Sequence, residues 1–498
     1  MMDFNELTRY LYVDVTTMLV FVFTLLLVYV TTRRRPGIPP GPPRWPVIGN
    51  IGSLASRDVL KRLDGLRQTY GDVYSIYVGQ QLVVVDSGYD AIHDALVKNG
   101  RAFAWRLLNN IQKELKEDTR ALIYGNGREW KEKRTFVMNA LNEFCYGKSS
   151  PVMERLILNE INAFTDELDK SNEPVFLRTK LSVSLANVIF SIIYGSRPGY
   201  NDPKFNKLLK TTDDIFQSFA KHQLTIYLFP WLEYGPVDFV GKKLASNVMD
   251  DLMHYLDTLW IERSAGYTEG DRNCLLDFMM SKDSPIDRDC LSKPMFDLIV
   301  AGSETTALTL NWLILYLILN PKIQDTLYKH IREVVGTRDP SINDRKHLPY
   351  VEATILETLR ISTLGPVSLP HTVVDDTLLR GFLIPKDTLV LPNIASVHLS
   401  EHEFQKPSEF QPERFLNEDQ TQLVTSEKLI PFSLGPRSCL GETLARVELF
   451  LYTVKLVQRY TFELTSGEDK PSVKGVLGLT HRPRDYRLVV KRRQDVAD

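Results

Sequence analysis

Residues Pro431 to Gly441 read PFSLGPRSCLG. Phe432, Gly435, Arg437, Cys439 and Gly441 fall on the pattern F-x-x-G-x-R-x-C-x-G. One cysteine sits in a Gly- and Pro-containing loop that runs straight into an apolar, helix-like stretch, Thr443 to Val457. The chemistry this suits is a thiolate ligand to haem iron. Gly435 and Gly441 carry no side chain to clash, so the backbone comes close to a flat porphyrin. A helix start just after Cys439 places N–H groups and positive dipole beside the sulfur, which favours thiolate over thiol. Arg437 is spaced to reach a carboxylate such as a haem propionate. A lone cysteine in an intracellular enzyme is usually a buried structural residue. Five fixed positions in so short a loop argue for the ligand instead.

The loop resembles the haem-binding signature of the cytochrome P450 superfamily, the haem-thiolate monooxygenases. The resemblance implies haem b (iron protoporphyrin IX) as cofactor, Cys439 as its metal ligand, and Phe432, Arg437 and Gly441 around it. It also implies one large, mainly α-helical domain with a smaller β region.

Composition is compatible with that expectation. The chain has 498 residues, 43% hydrophobic and 24% charged, with formal net charge −2. That is ample for a large core. The near-neutral balance gives no general argument for binding nucleic acid. Cys145, Cys274, Cys290 and Cys439 lie far apart, without a C-x-x-C pair, so neither a zinc site nor a disulfide framework is indicated. A reducing compartment fits the bulk of the chain.

Three segments are expected: an anchor over 1–32, a basic and Pro-rich hinge over 33–50, and a catalytic domain over 51–498. Val15 to Thr32 is almost wholly apolar and uncharged, long enough for a transmembrane helix. Arg33, Arg34 and Arg35 follow it, which predicts that the rest is cytosolic. A cleaved signal peptide would carry its charge on the other side. Prolines 36, 39, 40, 42, 43 and 46 cannot continue the helix and predict a stiff, extended spacer. This order is typical of microsomal members of the family and implies the endoplasmic reticulum membrane.

Beyond the spacer, Val73–Val78 and Gln81–Val85 read as a hairpin turning at Gly79–Gln80. Trp130 and Arg134 lie four apart on a predicted helix face. Alone that pair is ordinary packing; in the resembling family it hydrogen-bonds a haem propionate. Arg128, Lys131 and Lys133 make the stretch basic, either a solvated helix face or, given the resemblance, a dock for an acidic redox partner. Residues 150–290 are helix-like, with polar breaks near Ser171–Pro174, Ser196–Pro203 and Thr268–Arg272, and should hold the lid over a substrate pocket.

Met295 to Asn320 is apolar nearly all round and predicts a buried helix, with Pro294 suggesting a late start or a kink. Ser303, Glu304, Thr305 and Thr306 interrupt it. Such groups cost free energy in a core unless paired. Either the hydroxyls bond back to helix carbonyls or they form a proton-delivery groove. AGSETT matches the family's A/G-G-x-D/E-T-T motif. The resemblance then implies that Gly302 admits oxygen or substrate, and that Glu304 and Thr305 pass protons through water. Glu357 and Arg360 lie on an amphipathic helix, and Arg414 follows in PERF. The family joins these three in a buried structural triad on the cysteine side of the haem. His371, in LPHTVV, is a propionate contact in the animal microsomal group. Leu378 to Leu391 reads as paired short strands. The family places substrate contacts at Val367, Leu369 and the loop near Gly475–Thr480.

The motif style is closest to the animal family-2 clan. The implied reaction is NADPH-driven hydroxylation or epoxidation of a lipophilic small molecule. No G-x-G-x-x-G fingerprint is present, so electrons must come from a partner. The resemblance implies an NADPH–cytochrome P450 reductase as that partner, with cytochrome b5 as a second candidate. Two other readings stay open: a reductase-independent haem-thiolate isomerase or dehydratase, and a non-catalytic haem- or lipid-binding protein.

Overall fold

The computed structural model describes residues 15–54, 58–108, 121–147, 150–170, 173–212 and 242–494. Part of the expected lid, 213–241, and the start of the expected anchor lie outside them. Helix α1 (Val15–Thr32) is the apolar run, and its Met18, Phe21 and Phe23 are more than 60% exposed. It ends before Pro36, which has no N–H to continue it. The Pro-rich stretch that follows lies along the edge of a sheet. Pro40 accepts from Ser75 N at 2.7 Å, and Asn50 Nδ2 donates to Pro43 O at 2.7 Å. Arg34 is not a free flanking charge; it donates to the Pro39 and Gly41 carbonyls and to Ser75.

Helix α2 (Val59–Tyr70) leads into β1 (Val73–Val78) and β2 (Gln81–Ser87), the expected hairpin, with Val78 opposite Gln81. The helical body follows: α3 (Gly127–Tyr146), α4 (Ser150–Asp169), α5 (Leu177–Tyr194), α6 (Lys242–Ser264) and the central α7 (Ser292–Leu319). Helix α7 starts earlier than expected and is not broken by Pro294. That proline sits in the first turn, where a helix has no use for its N–H. Helices α8 (Pro321–Val334) and α9 (Pro349–Ser362) come next. Helix α9 is buried on nearly every side rather than amphipathic. Thr354 and Thr358 therefore bond back to the carbonyls of Tyr350 and Thr354, at 2.7 and 2.8 Å.

The sheet is completed late in the chain. Short strands β3 (His371–Thr372), β4 (Thr377–Leu379), β5 (Phe382–Ile384) and β6 (Leu389–Asn393) follow α9. Only β4 and β5 pair as a hairpin; β6 instead runs parallel to β2, giving the order β1-β2-β6-β3. Helix α10 (Glu442–Arg459) carries the chain from the cysteine loop to β7 (Tyr460–Leu464), which pairs with β10 (Leu488–Arg492) across β8 (Val476–Leu477) and β9 (His481–Arg482).

Helices α4, α5, α7 and α10 form the core bundle. Phe164 meets Tyr452, and Asp169 meets Tyr460, so α4 and α10 run together. Thr306 meets Glu448, while Gln324, just beyond α7, meets Phe462, so α7 runs with them. Ser182 meets Glu304 and the later Ile189 meets the earlier Gly302, so α5 runs against the others.

One strand residue stores a pH dependence. Asp86 in β2 is fully buried, opposite Val73 and Pro392, and neither carboxylate oxygen has a hydrogen-bond partner. Burial pushes its pKa up to about 7. The folded state therefore holds this proton more tightly than the unfolded chain. The penalty is absent below the unfolded carboxylate's pKa, grows as pH rises, and is complete above about 7. Asp86→Asn should therefore gain more over the parent at about pH 8 than at about pH 5, by on the order of 2–3 kcal/mol in chemical denaturation. The same pH dependence in both proteins would contradict this.

Candidate functional site

The cysteine loop is pinned before it reaches its helix. Gly435 has φ 75°, and a Cβ there would collide with the Leu96 carbonyl. Its missing side chain gives clearance to the neighbouring backbone. A Cβ on Gly441 would meet no atom within 4 Å. Cys439 N donates to Phe432 O at 2.8 Å, and the Gly441 N–H points to the sulfur. The Phe432 ring is half-buried beneath the Arg446 guanidinium. Cys439 is exposed, yet desolvation raises its pKa. Both hold for a side chain that faces a hollow inside the protein rather than bulk water. Desolvation outweighs the help of the Gly441 amide and Arg134, so the metal-free residue is a thiol. A cation at the sulfur is what removes the proton.

Beside the loop, Arg106, Arg134 and Arg437 crowd together, each with its pKa lowered by burial. Arg437, desolvated and repelled by the other two, falls to about 8. It donates to Ala104 O at 2.6 Å, to Gly125 O and to Asn126 Oδ1 at 3.1 Å. Its guanidinium lies 3.3 Å from the Trp130 ring centre. Trp130 Nε1 donates to Leu122 O at 3.0 Å, and Arg134 donates to Ser438 O. The W-x-x-x-R pair thus packs on the cysteine loop. Among the described residues no carboxylate forms a salt bridge with any of the three arginines. Two buried atoms nearby, Arg106 Nε and His371 Nε2, have no hydrogen-bond partner. His371 Nδ1 lies 2.7 Å from Phe103 O. Burial and the adjacent Arg106 and Arg437 hold the imidazole neutral. Three desolvated cations without an anion, beside the open Arg106 Nε and His371 Nε2, fit a dianion such as the propionates of haem. Of the basic residues around Trp130, Arg128 and Lys131 are exposed but Lys133 is buried, so the stretch is not a uniform basic face.

On α7, Ala301 is exposed and Thr305 half-buried, in a helix otherwise packed on all sides. These positions face a second opening. Ser303, Thr305 and Thr309 bond back to the carbonyls of Ile299, Ala301 and Thr305, at 2.7, 2.7 and 2.9 Å. Thr306 instead donates to Glu448 Oε2 at 3.1 Å. Glu304 turns toward α5, where Ser182 donates to it at 3.0 Å and Arg178 stands at 3.7 Å. Glu304 and Thr305 therefore leave the helix on different faces. A Cβ on Gly302 would lie 2.6 Å from Ile189 Cδ1. This glycine packs closely against α5.

The charged triad is closed. Arg360 donates to both oxygens of Glu357 at 2.7 and 2.9 Å, and Arg414 Nε stands 3.0 Å from Glu357 Oε2. Arg360 also donates to His398 O and Pro407 O, so its buried donors are used. Four residues that sequence reading passed over take part in these arrangements. Arg106 and Asn126 have no motif around them. Asp297 accepts from Leu122 N and Ile123 N, holding that loop to α7. Glu448 had one available signal, a carboxylate in an otherwise apolar helical run.

A family model described as Cytochrome P450 matches residues 39–490. The chain is 32% identical to Cytochrome P450 2U1 of Homo sapiens, over 93% of this chain and 91% of that protein. It is 33% identical to the Rattus norvegicus protein of that name, over 94% and 93%. It is 34% identical to Cytochrome P450 2D20 of Mesocricetus auratus, over 93% and 95%.

Glu357 is the sole acid answering Arg360 and Arg414 in this triad. Glu357→Gln should lower stability by about 3–5 kcal/mol, because the buried Arg360 and the half-buried Arg414 lose their anion. Thermal or denaturant unfolding would show it; a change below about 1 kcal/mol would mean that the triad is open to water.

Proposed function

We propose, from the premise that the chain belongs to the cytochrome P450 family, that it inserts one oxygen atom into a lipophilic small molecule, drawing electrons from NADPH through a separate reductase. The observation that supports this most is the paired opening: Cys439 exposed in its loop, and Ala301 with Thr305 uncovered on a helix otherwise packed. Thr306 is tied to α10, the helix that Cys439 introduces, so we take both openings as sides of one gap. Haem in that gap supplies the redox chemistry, made more electron-rich by thiolate ligation.

The protein's own groups have separable tasks in this reading. Cys439 ligates, with the Gly441 amide stabilising its charge. Arg106, Arg134, Arg437 and His371 hold the propionates, and Trp130 keeps Arg437 in place through its ring face. Nδ1 of His371 is engaged by a carbonyl, so Nε2 reaches a carboxylate only as the doubly protonated ring, which that carboxylate itself favours. Thr305 holds a hydroxyl proton at the opening and releases its bond to Ala301 O to deliver it. Glu304, on the adjacent face, reaches Thr305 only through water. The exposed apolar face of α1 supports a position at a membrane, where lipophilic substrates concentrate. The reducing compartment and basic flank favour the cytosolic side of the endoplasmic reticulum.

Turnover of the membrane-bound protein with NADPH and reductase, on a panel of steroids, fatty acids and xenobiotics, tests the reading by mass spectrometry. The expected product is one oxygen heavier and depends on NADPH. An isomerised or dehydrated product formed without reductase would overturn the reading. In Thr305→Ala, NADPH consumption should outrun product severalfold, with peroxide making up the difference. Full coupling in that variant would remove the role of Thr305.

A further inference from the structure

His398 stands where the charged triad and the cysteine loop meet. It ends a short helical turn, Ala395–His398, and is fully buried. Its carbonyl accepts from Arg360 Nη1 at 2.7 Å, which ties the residue to the triad. Its ring nitrogens reach two other segments. Nε2 lies 2.9 Å from Ile430 N, 32 residues further along the chain. Nδ1 lies 3.3 Å from Thr363 Oγ1, just past α9. Thr363 has φ 36°, a left-handed conformation that a β-branched residue rarely adopts. Its hydroxyl donates to Arg360 O at 2.5 Å.

These partners fix the tautomer twice over. A peptide N–H only donates, so Nε2, facing Ile430 N, carries no proton. Thr363 spends its one hydroxyl proton on Arg360 O, so it accepts on the other side and Nδ1 carries the proton. The ring is neutral, and burial with the nearby Arg360 lowers its pKa to about 3. The result is a directed line from Ile430 to His398, to Thr363, to Arg360 and on to Glu357. Ile430 is where the cysteine loop begins. Its carbonyl accepts from Ser433 N at 3.0 Å, closing a turn through Pro431 and Phe432. Phe432 O in turn accepts from Cys439 N at 2.8 Å. Ile430 is buried, so without His398 its N–H is a buried donor that needs a new partner.

We propose that His398 is a positioning residue for Cys439: as the Nδ1–H tautomer it clamps the entry of the cysteine loop to the triad, and so keeps the sulfur seated as the iron ligand. The proposal rests on the thiolate reading above. A side chain that only filled space here would need neither ring nitrogen. Both are used, and both demand the same protonation state. The two nitrogens have separable tasks. Nε2 is the acceptor that holds Ile430, and with it the turn that sets Phe432 O against Cys439 N. Nδ1–H orients the ring by bonding to Thr363, whose place at the end of α9 is fixed by Arg360.

The test uses the haem-loaded full chain and three variants. His398→Gln keeps an acceptor at the place of Nε2. His398→Asn keeps a donor at the place of Nδ1–H but is too short to reach Ile430. Thr363→Val keeps the shape of the core and removes only the outer partner. Two quantities are read: the share of the reduced carbon-monoxide complex with the red-shifted thiolate band during mild warming, and hydrogen exchange at the Ile430 amide. H398Q should keep the band and the slow amide. H398N should lose the band severalfold faster than the parent and exchange Ile430 at least tenfold faster. T363V should quicken Ile430 exchange severalfold, which decides the matter even where H398N does not load haem. Equal loss of the band in H398Q and H398N would make the histidine a packing residue and overturn the proposal. Ile430 exchange in T363V at the parent's rate would overturn it too. A parent-like band and amide in H398N, beside a parent that shows the thiolate band, would overturn the positioning role alone. A parent without that band would overturn the thiolate reading itself.

Discussion

A guanidinium taken out of water needs an anion, and this protein buries two groups of them with opposite outcomes. Arg360 and Arg414 are answered by Glu357, with the remaining donors of Arg360 spent on carbonyls. That arrangement is complete and has no need of a ligand. Arg106, Arg134 and Arg437 are answered only by carbonyls and an amide oxygen, and burial followed by repulsion from the other two lowers the pKa of Arg437. Their cost is justified only if a ligand brings the negative charge. The same reasoning explains the cysteine: desolvation keeps it a thiol until a cation arrives beside it. The site is thus built for a group that is positive at its centre and negative at its rim. Haem, with an iron ion and two propionates, has that distribution.

The central helix shows how the fold separates tasks along one element. Its apolar length is the wall of the core, and its polar quartet is distributed around the turn. Thr305 faces the opening, Thr306 faces α10, and Glu304 faces α5. Adjacent residues on a helix cannot share a face, so a motif read as one acid–alcohol unit becomes two groups with different surroundings.

Much of this was legible in the sequence. The hairpin at Gly79–Gln80, the α7 helix and the helix after Cys439 follow from turn chemistry and apolar periodicity, and the structure contains all three. Helix starts were less legible: Pro294 argued for a late start, although a first turn accepts proline without cost. Glycine roles were read from motif rather than from neighbours. Gly435 serves the Leu96 carbonyl and Gly302 serves Ile189, and neither partner is near in sequence. The arginine cluster was half visible. Arg134 and Arg437 stand in motifs, but Arg106 joins them through distant segments, donating to Leu369 O and Pro370 O and exchanging backbone bonds with Asn126, which accepts from Arg437. Pairings between segments so far apart leave no local signal, as with Glu448 and Thr306.

The central claim is that Cys439 holds haem iron as a thiolate. Its most direct measurement is the carbon-monoxide difference spectrum of the reduced, haem-loaded protein, beside that of Cys439→Ser at equal haem content. The account predicts the red-shifted Soret band of a thiolate-ligated haem in the parent and its loss in the variant. An identical band in both proteins would contradict it, and would mean that the iron is held elsewhere.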